Sequence, residues 1–435
     1  MIMRITRLLP AITMVAVASL AAGSAACMPH PDNEPSAPRE APMPAWIEAE
    51  TGTLRHHVQL TFPDRFHKAG EPYFSPQGDR IIFQAIEPLA SGEEPPEIFA
   101  MYLADVVHDP AGLVTGLENI RRISPPGTAN TCGWFDPHHR HIVYFASTLT
   151  PPAEMPRGGY DRETGKYVWA KPAEMRIFRC DLRRPAGSAQ SMELIAGDTN
   201  AYQAEGALSP DGRHIVYCSL ETGDGDLYIK DLHTGRVVCA VQEPGYDGGP
   251  FFSPDGRRIC YRSDRRDNSL LQLFVADLAF DEKGSVTGIE REHQLTDNAH
   301  VNFGPYWHCH GRHLVYATTE LGFRNFEVFM IDADPGDLPG STGSLKYGTR
   351  KRRVTFAAGA DVLPTLSHDG RRMIWTSQRG EDGRSQLWTA QLLIALDPEP
   401  QAGRGHRGGH RSGANSGPSS RPSGRPGRGH PGGGR

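Results

Sequence analysis

Apolar and polar positions alternate along this chain in a block that returns six times. The blocks read PYFSPQGDRIIFQA from Pro72, GWFDPHHRHIVYFAS from Gly133 and GALSPDGRHIVYCSL from Gly206, then PFFSPDGRRICYRSD from Pro250, PYWHCHGRHLVYATT from Pro305 and PTLSHDGRRMIWTSQ from Pro364. Each starts with a short apolar run, which suits a strand buried on both faces. A turn follows. In Pro-Asp-Gly, proline fixes φ, aspartate bonds its own backbone and glycine accepts positive φ. The stretch after the turn, RRICYRS in the fourth block, alternates in period two and is rich in β-branched and aromatic residues, so it predicts a second strand. A further apolar stretch follows every block (EIFAMYLAD, RIFRCDL, DLYIKDL, QLFVADL, EVFMIDA, QLWTAQL). Another signal precedes each one, VQLTF before the first and RRVTF before the last.

One such unit is a four-stranded meander that cannot bury both of its faces alone. Stacking units radially covers those faces and leaves only short protected edges. The shortest spacing between matched turns, 44 residues from Gly212 to Gly256, is one such unit, and longer spacings imply inserted loops. The pattern therefore predicts an all-β fold, a six-bladed β-propeller of four-stranded antiparallel blades over residues 46–396. The stretch from Leu149 to Lys171 is too long for a hairpin turn. Its YDRETGKYVW segment is expected to carry aromatic residues on a face of the propeller.

The ends differ from this body. Arg4 and Arg7, the apolar run from Leu8 to Ala22 and the small residues before Cys27 have the order of an export signal over residues 1–27. Ser24-Ala25-Ala26-Cys27 resembles a lipobox, with Ser24 where leucine is usual, and makes Cys27 the expected lipidation site. Residues 28–45 are Pro-rich and read as a tether. Residues 397–435 are rich in Gly, Arg, Pro and Ser and predict disorder. The formal net charge is −5, yet seven arginines and no acid follow Pro400, so the body is acidic and the tail basic. An acidic body argues against nucleic acid as a partner. The basic tail suits contact with an anionic polymer or lipid, and the membrane is expected to be met through the lipid anchor alone.

The repeats resemble the TolB-like propeller family, which is built from Pro-Asp-Gly β-repeats. The resemblance is carried by TCGWFDPHHRHIVYFAST, GKYVWAKPAEMRIFRCDL, AYQAEGALSPDGRHIVYCS, GYDGGPFFSPDGRRICYRS and NFGPYWHCHGRHLVYATT. In wording and order they look like an exported bacterial branch labelled as Tol-type biopolymer transport proteins. TolB itself carries an N-terminal α/β domain before its propeller, and the sequence before the first block is read as lacking it. The resemblance implies a periplasmic or outer-membrane location and a non-catalytic binding or scaffold role in the envelope, with a protein or peptide segment as partner and no cofactor. Related repeats also precede the hydrolase domain of prolyl-oligopeptidase-type peptidases and form metal-dependent polysaccharide lyases. An enzyme, or an accessory propeller for a separate hydrolase, is thus the alternative. No Gly-x-Ser-x-Gly elbow accompanies these repeats.

The candidate chemistry comes from the repeat register. Three residues before the Pro or Gly that opens each block stand Ala69, Asn130, Gln203, Asp247, Asn302 and Asp361. Inner strands line a central channel, so equivalent positions form a ring at its mouth, and five of the six are polar. Glu71 and Glu205, two residues further on, are expected near the same mouth. Turn chemistry accounts for Asn and Asp equally well. A polar, partly acidic mouth is the best candidate for binding a peptide, cation or sugar. His308 and His310 replace Ser253 and Asp255 of the fourth block; they read mainly as turn residues and only weakly as metal ligands. The cysteines after Cys27 show no C-x-x-C spacing.

Overall fold

The computed structural model describes residues 44–393 apart from 154–156, 162–165, 186, 189–190, 198–199, 267–268, 334–347 and 349, and within 157–170 it describes backbone only. The export signal, Cys27, the tether up to residue 43 and the basic tail lie outside the described residues, as do the side chains of the YDRETGKYVW segment. From Ala45 onward the chain forms six four-stranded antiparallel sheets, as the repeat predicts.

The inner strands are Lys68–Phe74, Asn130–Phe135, Gln203–Leu208, Asp247–Phe252, Asn302–Trp307 and Asp361–Leu366, which open blades 1 to 6 in turn. The second strands are Arg80–Ile86, Ile142–Ser147, His214–Ser219, Arg258–Ser263, His313–Thr318 and Arg372–Ser377. The third strands, Ala100–His108, Arg176–Asp181, Asp226–Asp231, Gln272–Phe280, Glu327–Asp332 and Gln386–Leu392, come from the apolar stretches after each block. The outer strands are Val114–Arg122, Met192–Ala196, Val237–Val241, Val286–Gln294 and Arg352–Arg353 for blades 1 to 5. The signal that precedes a block is therefore the outer strand of the blade before it. For VQLTF this has a topological result. Its strand, Leu54–Gln59, pairs with Gln386–Leu392 and completes blade 6, so the ring closes by joining distant parts of the chain.

The turns behave as their residues demand. In blade 4, Ser253 N donates to Arg258 O at 2.8 Å and Gly256 N to Ser253 O at 2.8 Å, with Gly256 at φ 69°. Asp255 Oδ1 accepts Arg257 N at 3.0 Å. The Leu149–Lys171 insertion contributes a hairpin, Arg157–Asp161 with Lys166–Ala170, between the second and third strands of blade 2.

Each blade pairs two aromatic residues across its second and third strands. The pairs are Phe83–Tyr102, Phe145–Phe178, Tyr217–Tyr228, Tyr261–Phe274, Tyr316–Phe329 and Trp375–Trp388. The second-strand members are all buried. In blades 1, 3 and 4 the rings stack, with centroids 5.6–5.9 Å apart. Such a pair adds about 0.5–1.5 kcal/mol beyond the area it buries.

The ring closure has its own clasp. A short helix, Ala45–Glu50, precedes the closing strand. Glu50 is fully buried and takes Arg379 Nη1 at 3.0 Å and Phe356 N at 2.7 Å, and its Oε2 lies 2.7 Å from His57 Nε2. Arg379 also reaches Asp361 Oδ2 at 2.9 Å and lies over the ring of Trp46. Every charge in this buried set has a partner, which is the condition for burying it at all.

Candidate functional site

The inner strands share a bulge. In all six, pairing with the second strand shifts register one residue after the ring position, between Gly70 and Tyr73 in blade 1 and between Gly248 and Phe251 in blade 4. The bulged residue is left-handed in every blade: Glu71 (φ 52°), Cys132 (55°), Glu205 (60°), Gly249 (58°), Gly304 (58°) and Leu363 (52°). Glycine adopts this conformation freely, whereas another residue costs roughly 1–2 kcal/mol there. Four blades hold a side chain in it nonetheless. Such strain persists where the surroundings over-determine it and is concentrated at functional sites.

All six bulged residues line one central cavity of about 270 Å³. Two residues further along the inner strands, Tyr73, Trp134, Phe251 and Tyr306 meet across the axis. Tyr73 and Phe251, from opposite blades, have ring centroids 5.8 Å apart, and Phe251 and Tyr306 5.2 Å. The cavity thus ends on an aromatic floor, and Phe99, Met175, Phe303 and Pro364 make much of its wall apolar.

On the side of blades 3 and 4, Glu205 is surrounded by donors. Lys171 Nζ pairs with its Oε1, Tyr246 OH bonds Oε2 at 2.7 Å, and Gly249 N donates to Oε2 at 2.6 Å. Arg262 Nη2 is 3.2 Å from Oε2. Burial alone would raise this carboxyl. The Lys171 and Arg262 charges outweigh it and hold the pKa at about 2. Lys171 also sits over the rings of Tyr202 and Tyr246, 4.4 and 4.8 Å from their centroids. The hairpin insertion ends at this lysine, and so delivers a cation to the cavity.

On the side of blades 1 and 2, Glu71 has neutral partners. Tyr73 OH donates to Oε1 at 3.0 Å and Thr131 Oγ1 to Oε2 at 3.1 Å. Burial raises its pKa, bonds from Cys132 and Tyr73 work against that, and the nearby Glu205 charge raises it further. Burial likewise pushes the Cys132 thiol well above its ordinary value. On the same wall Gln84 Oε1 is buried without a hydrogen-bond partner.

The ring at the start of the inner strands occupies one level, as the register implies, and its members are buried. Ala69, Asn130, Gln203, Asp247, Asn302 and Asp361 each donate their backbone N–H, at 2.7–3.1 Å, to the carbonyl just before the third strand of the preceding blade. These six bonds stitch the blades together. The side chains reinforce the seams: Asn130 Nδ2 donates to Phe99 O at 3.0 Å, and Asn302 Nδ2 to Gln272 Oε1 at 3.1 Å. Asp247 lies 3.2 Å from Arg265, and Asp361 accepts Trp375 Nε1 at 2.9 Å. Gln203 Nε2 donates to Glu221 at 3.2 Å. Burial raises Asp247 to about 7. Of the residues singled out from sequence, then, Glu71 and Glu205 face the cavity and Asn130 borders it. His308 and His310 sit in the turn at the far end of the blade 5 inner strand, His308 buried and His310 exposed. Among the described residues the six cysteines are free thiols.

Lys171, Arg262, Tyr202 and Tyr246, which surround Glu205, were not singled out from the repeat. Arg262 carried a signal. Its register position is held by Gln84, Ala146, Cys218, Ala317 and Thr376 in the other blades, so it is the one charge in that series.

Residues 200–344 match the family model PD40, TolB beta propeller domain. Dipeptidyl-peptidase 5 of Porphyromonas gingivalis is 43% identical over 83 residues, covering 16% of this chain and 12% of that protein. The Tol-Pal system protein TolB of Francisella tularensis subsp. holarctica is 29% identical over 99 residues, 20% of this chain and 23% of that protein. The chain thus spans less than a quarter of the length of these curated relatives. The crystal structure of TolB from Acinetobacter baumannii aligns with a TM-score of 0.46 at 18% identity, over 73% of this chain and 64% of that one. The chain is thus a six-bladed β-propeller, and its residues 200–344 carry the match to the TolB beta propeller domain.

Proposed function

We propose that the protein is a non-catalytic binding propeller of the bacterial envelope, and that its partner enters the central cavity. The observation that carries this reading is the ring of bulged residues. Four blades hold a side chain on left-handed backbone at one level of one cavity. A channel that served packing alone would favour glycine there, as blades 4 and 5 have it. The walls say what fits. An apolar side chain of a protein segment would rest on the aromatic floor, while Glu71 and the Lys171–Glu205–Arg262 cluster would meet its polar backbone. Export and a lipid at Cys27 rest on the N-terminal sequence, and the arginine tail adds a second, salt-sensitive contact to anionic polymer or lipid.

The test is capture of envelope proteins by the purified full chain, followed by titration of the recovered partner. Glu71→Ala and Phe303→Ala should each weaken that partner at least tenfold, about 1.4 kcal/mol, with the fold intact. Asp247→Ala with Asp361→Ala should instead lower thermal stability, because it removes the buried partners of Arg265 and of Arg379 and Trp375. Unchanged affinity in both cavity variants would place the binding surface elsewhere.

A further inference from the structure

The turn of blade 5 departs from the Ser-Pro-Asp-Gly of blades 3 and 4 and reads His308-Cys309-His310-Gly311. Its backbone does not change. His308 N donates to His313 O at 2.9 Å and Gly311 N to His308 O at 2.8 Å, matching the bonds of the blade 4 turn, and Gly311 has φ 65°. Only the side-chain chemistry is new. One atom each from His308, Cys309 and His310 lie within 4.8 Å of one another, and all three are metal-ligand atoms.

The geometry is close to what a metal requires. Cys309 Sγ lies 3.6 Å from His308 Nδ1. Zinc bonded tetrahedrally to a thiolate at about 2.3 Å and an imidazole at about 2.05 Å holds those two ligand atoms about 3.6 Å apart. The His308 and His310 rings have centroids 4.9 Å apart. His310 N also approaches His308 Nδ1 at 3.3 Å, a long contact.

His308 hydrogen-bonds the Gly370 backbone of blade 6. A Cβ at Gly370 would stand 2.6 Å from His308 Nε2 and 2.8 Å from Cys309 Sγ, so glycine there leaves the cluster its room. Holding one ring nitrogen on backbone, the usual arrangement of a ligating histidine, makes Nδ1 the nitrogen beside Cys309 Sγ, and a metal there would displace the long His310 N–H contact.

We propose that His308, Cys309 and His310 form a three-ligand site for a thiophilic divalent cation, zinc by its donor set, with the fourth position open to water or a ligand. Binding forms one metal–sulfur and two metal–nitrogen bonds, and the Cys309 S–H proton leaves to solvent. The site stands on the opposite face from the cavity mouth and is independent of what the cavity binds.

The experiment uses the full chain with His406, His410 and His430 changed to alanine, which removes the tail's own imidazoles. Zinc is titrated calorimetrically, and cobalt serves as a spectroscopic substitute whose thiolate charge-transfer band reports sulfur coordination. The expected result is one equivalent of zinc and a cobalt–thiolate band that Cys309→Ser abolishes. His308→Ser, Cys309→Pro and His310→Asp together rebuild the turn of blade 4. This variant should keep the melting temperature and lose zinc affinity at least a hundredfold. A band that survives Cys309→Ser would overturn the site and point to another thiol, such as exposed Cys239. Equal zinc affinity in the rebuilt turn, or parental binding weaker than about 100 μM, would overturn it as well.

Discussion

Glu71 and Glu205 hold the same position in blades 1 and 3, on the same left-handed backbone, and face one cavity. Their surroundings make them different groups. Glu205 has two cations, a tyrosine hydroxyl and a backbone N–H, and its pKa falls to about 2. Glu71 has a tyrosine, a threonine and a thiol, and its pKa rises. The repeat decides where a side chain points, while non-repeated neighbours decide its charge. Both cations on the Glu205 side are departures from the repeat, one at the end of an insertion and one inside a strand.

The largest effect should come from breaking the charged side. Arg262→Met leaves Glu205 short of a partner inside the fold, and chemical denaturation should show a loss of about 3–5 kcal/mol, the range for breaking a buried pair. A loss under about 1 kcal/mol would show that Lys171 and the neutral donors suffice.

The pH dependence should separate the two carboxyls by sign. Glu205 has a depressed folded pKa, so its contribution is present above 4.5 and is lost as pH falls toward about 2. The melting-temperature advantage of the wild type over Glu205→Gln should shrink across that window. Glu71 has a raised folded pKa, so its contribution is present below 4.5 and is lost as pH rises. The wild type should therefore lose ground to Glu71→Gln on going from acid to neutral pH. Parallel profiles for the two variants would remove the contrast.

A smaller effect is expected from Glu71→Gln at neutral pH. An amide replaces a carboxyl whose charged form is disfavoured there, and stability should change by about 1 kcal/mol or less. The smallest belongs to Leu363→Gly, at the bulge of blade 6. Relief of left-handed strain and loss of a half-buried side chain oppose each other, and the net should stay within about 1 kcal/mol. A large loss would mean that Leu363 is packing the channel rather than lining it.

Much of this was legible in the sequence. The turns and their flanking strands announced the six blades, because Pro-Asp-Gly and period-two alternation act locally. Counting two residues on from the ring placed Glu71 and Glu205 at the mouth. The bulge was harder to see, because left-handed backbone at Glu71 or Leu363 is imposed by fit between blades and not by local preference. Gly249 and Gly304 at the same register were its only sequence trace. Lys171 could be flagged as the end of an insertion, but its reach to Glu205 is a tertiary result. The polar ring showed in the sequence as a position. Its burial in the seams depends on carbonyls supplied by the preceding blade, which no single repeat contains.

The closing strand has a kinetic consequence. Blades 1 to 5 are each contiguous in the chain, so each can assemble from nearby sequence. Blade 6 cannot, because Leu54 pairs with Leu392 and Glu50 meets Arg379, 329 positions away. Contacts at such separation are slow to find, although the entropy of closure grows only with the logarithm of loop length. Until they form, the Gln386–Leu392 edge stays unpaired and Leu54 has no cover, a state open to pairing with another chain. Ring closure should thus be the late, slow phase of refolding, and Glu50→Gln should act mainly on how fast the closed ring reopens.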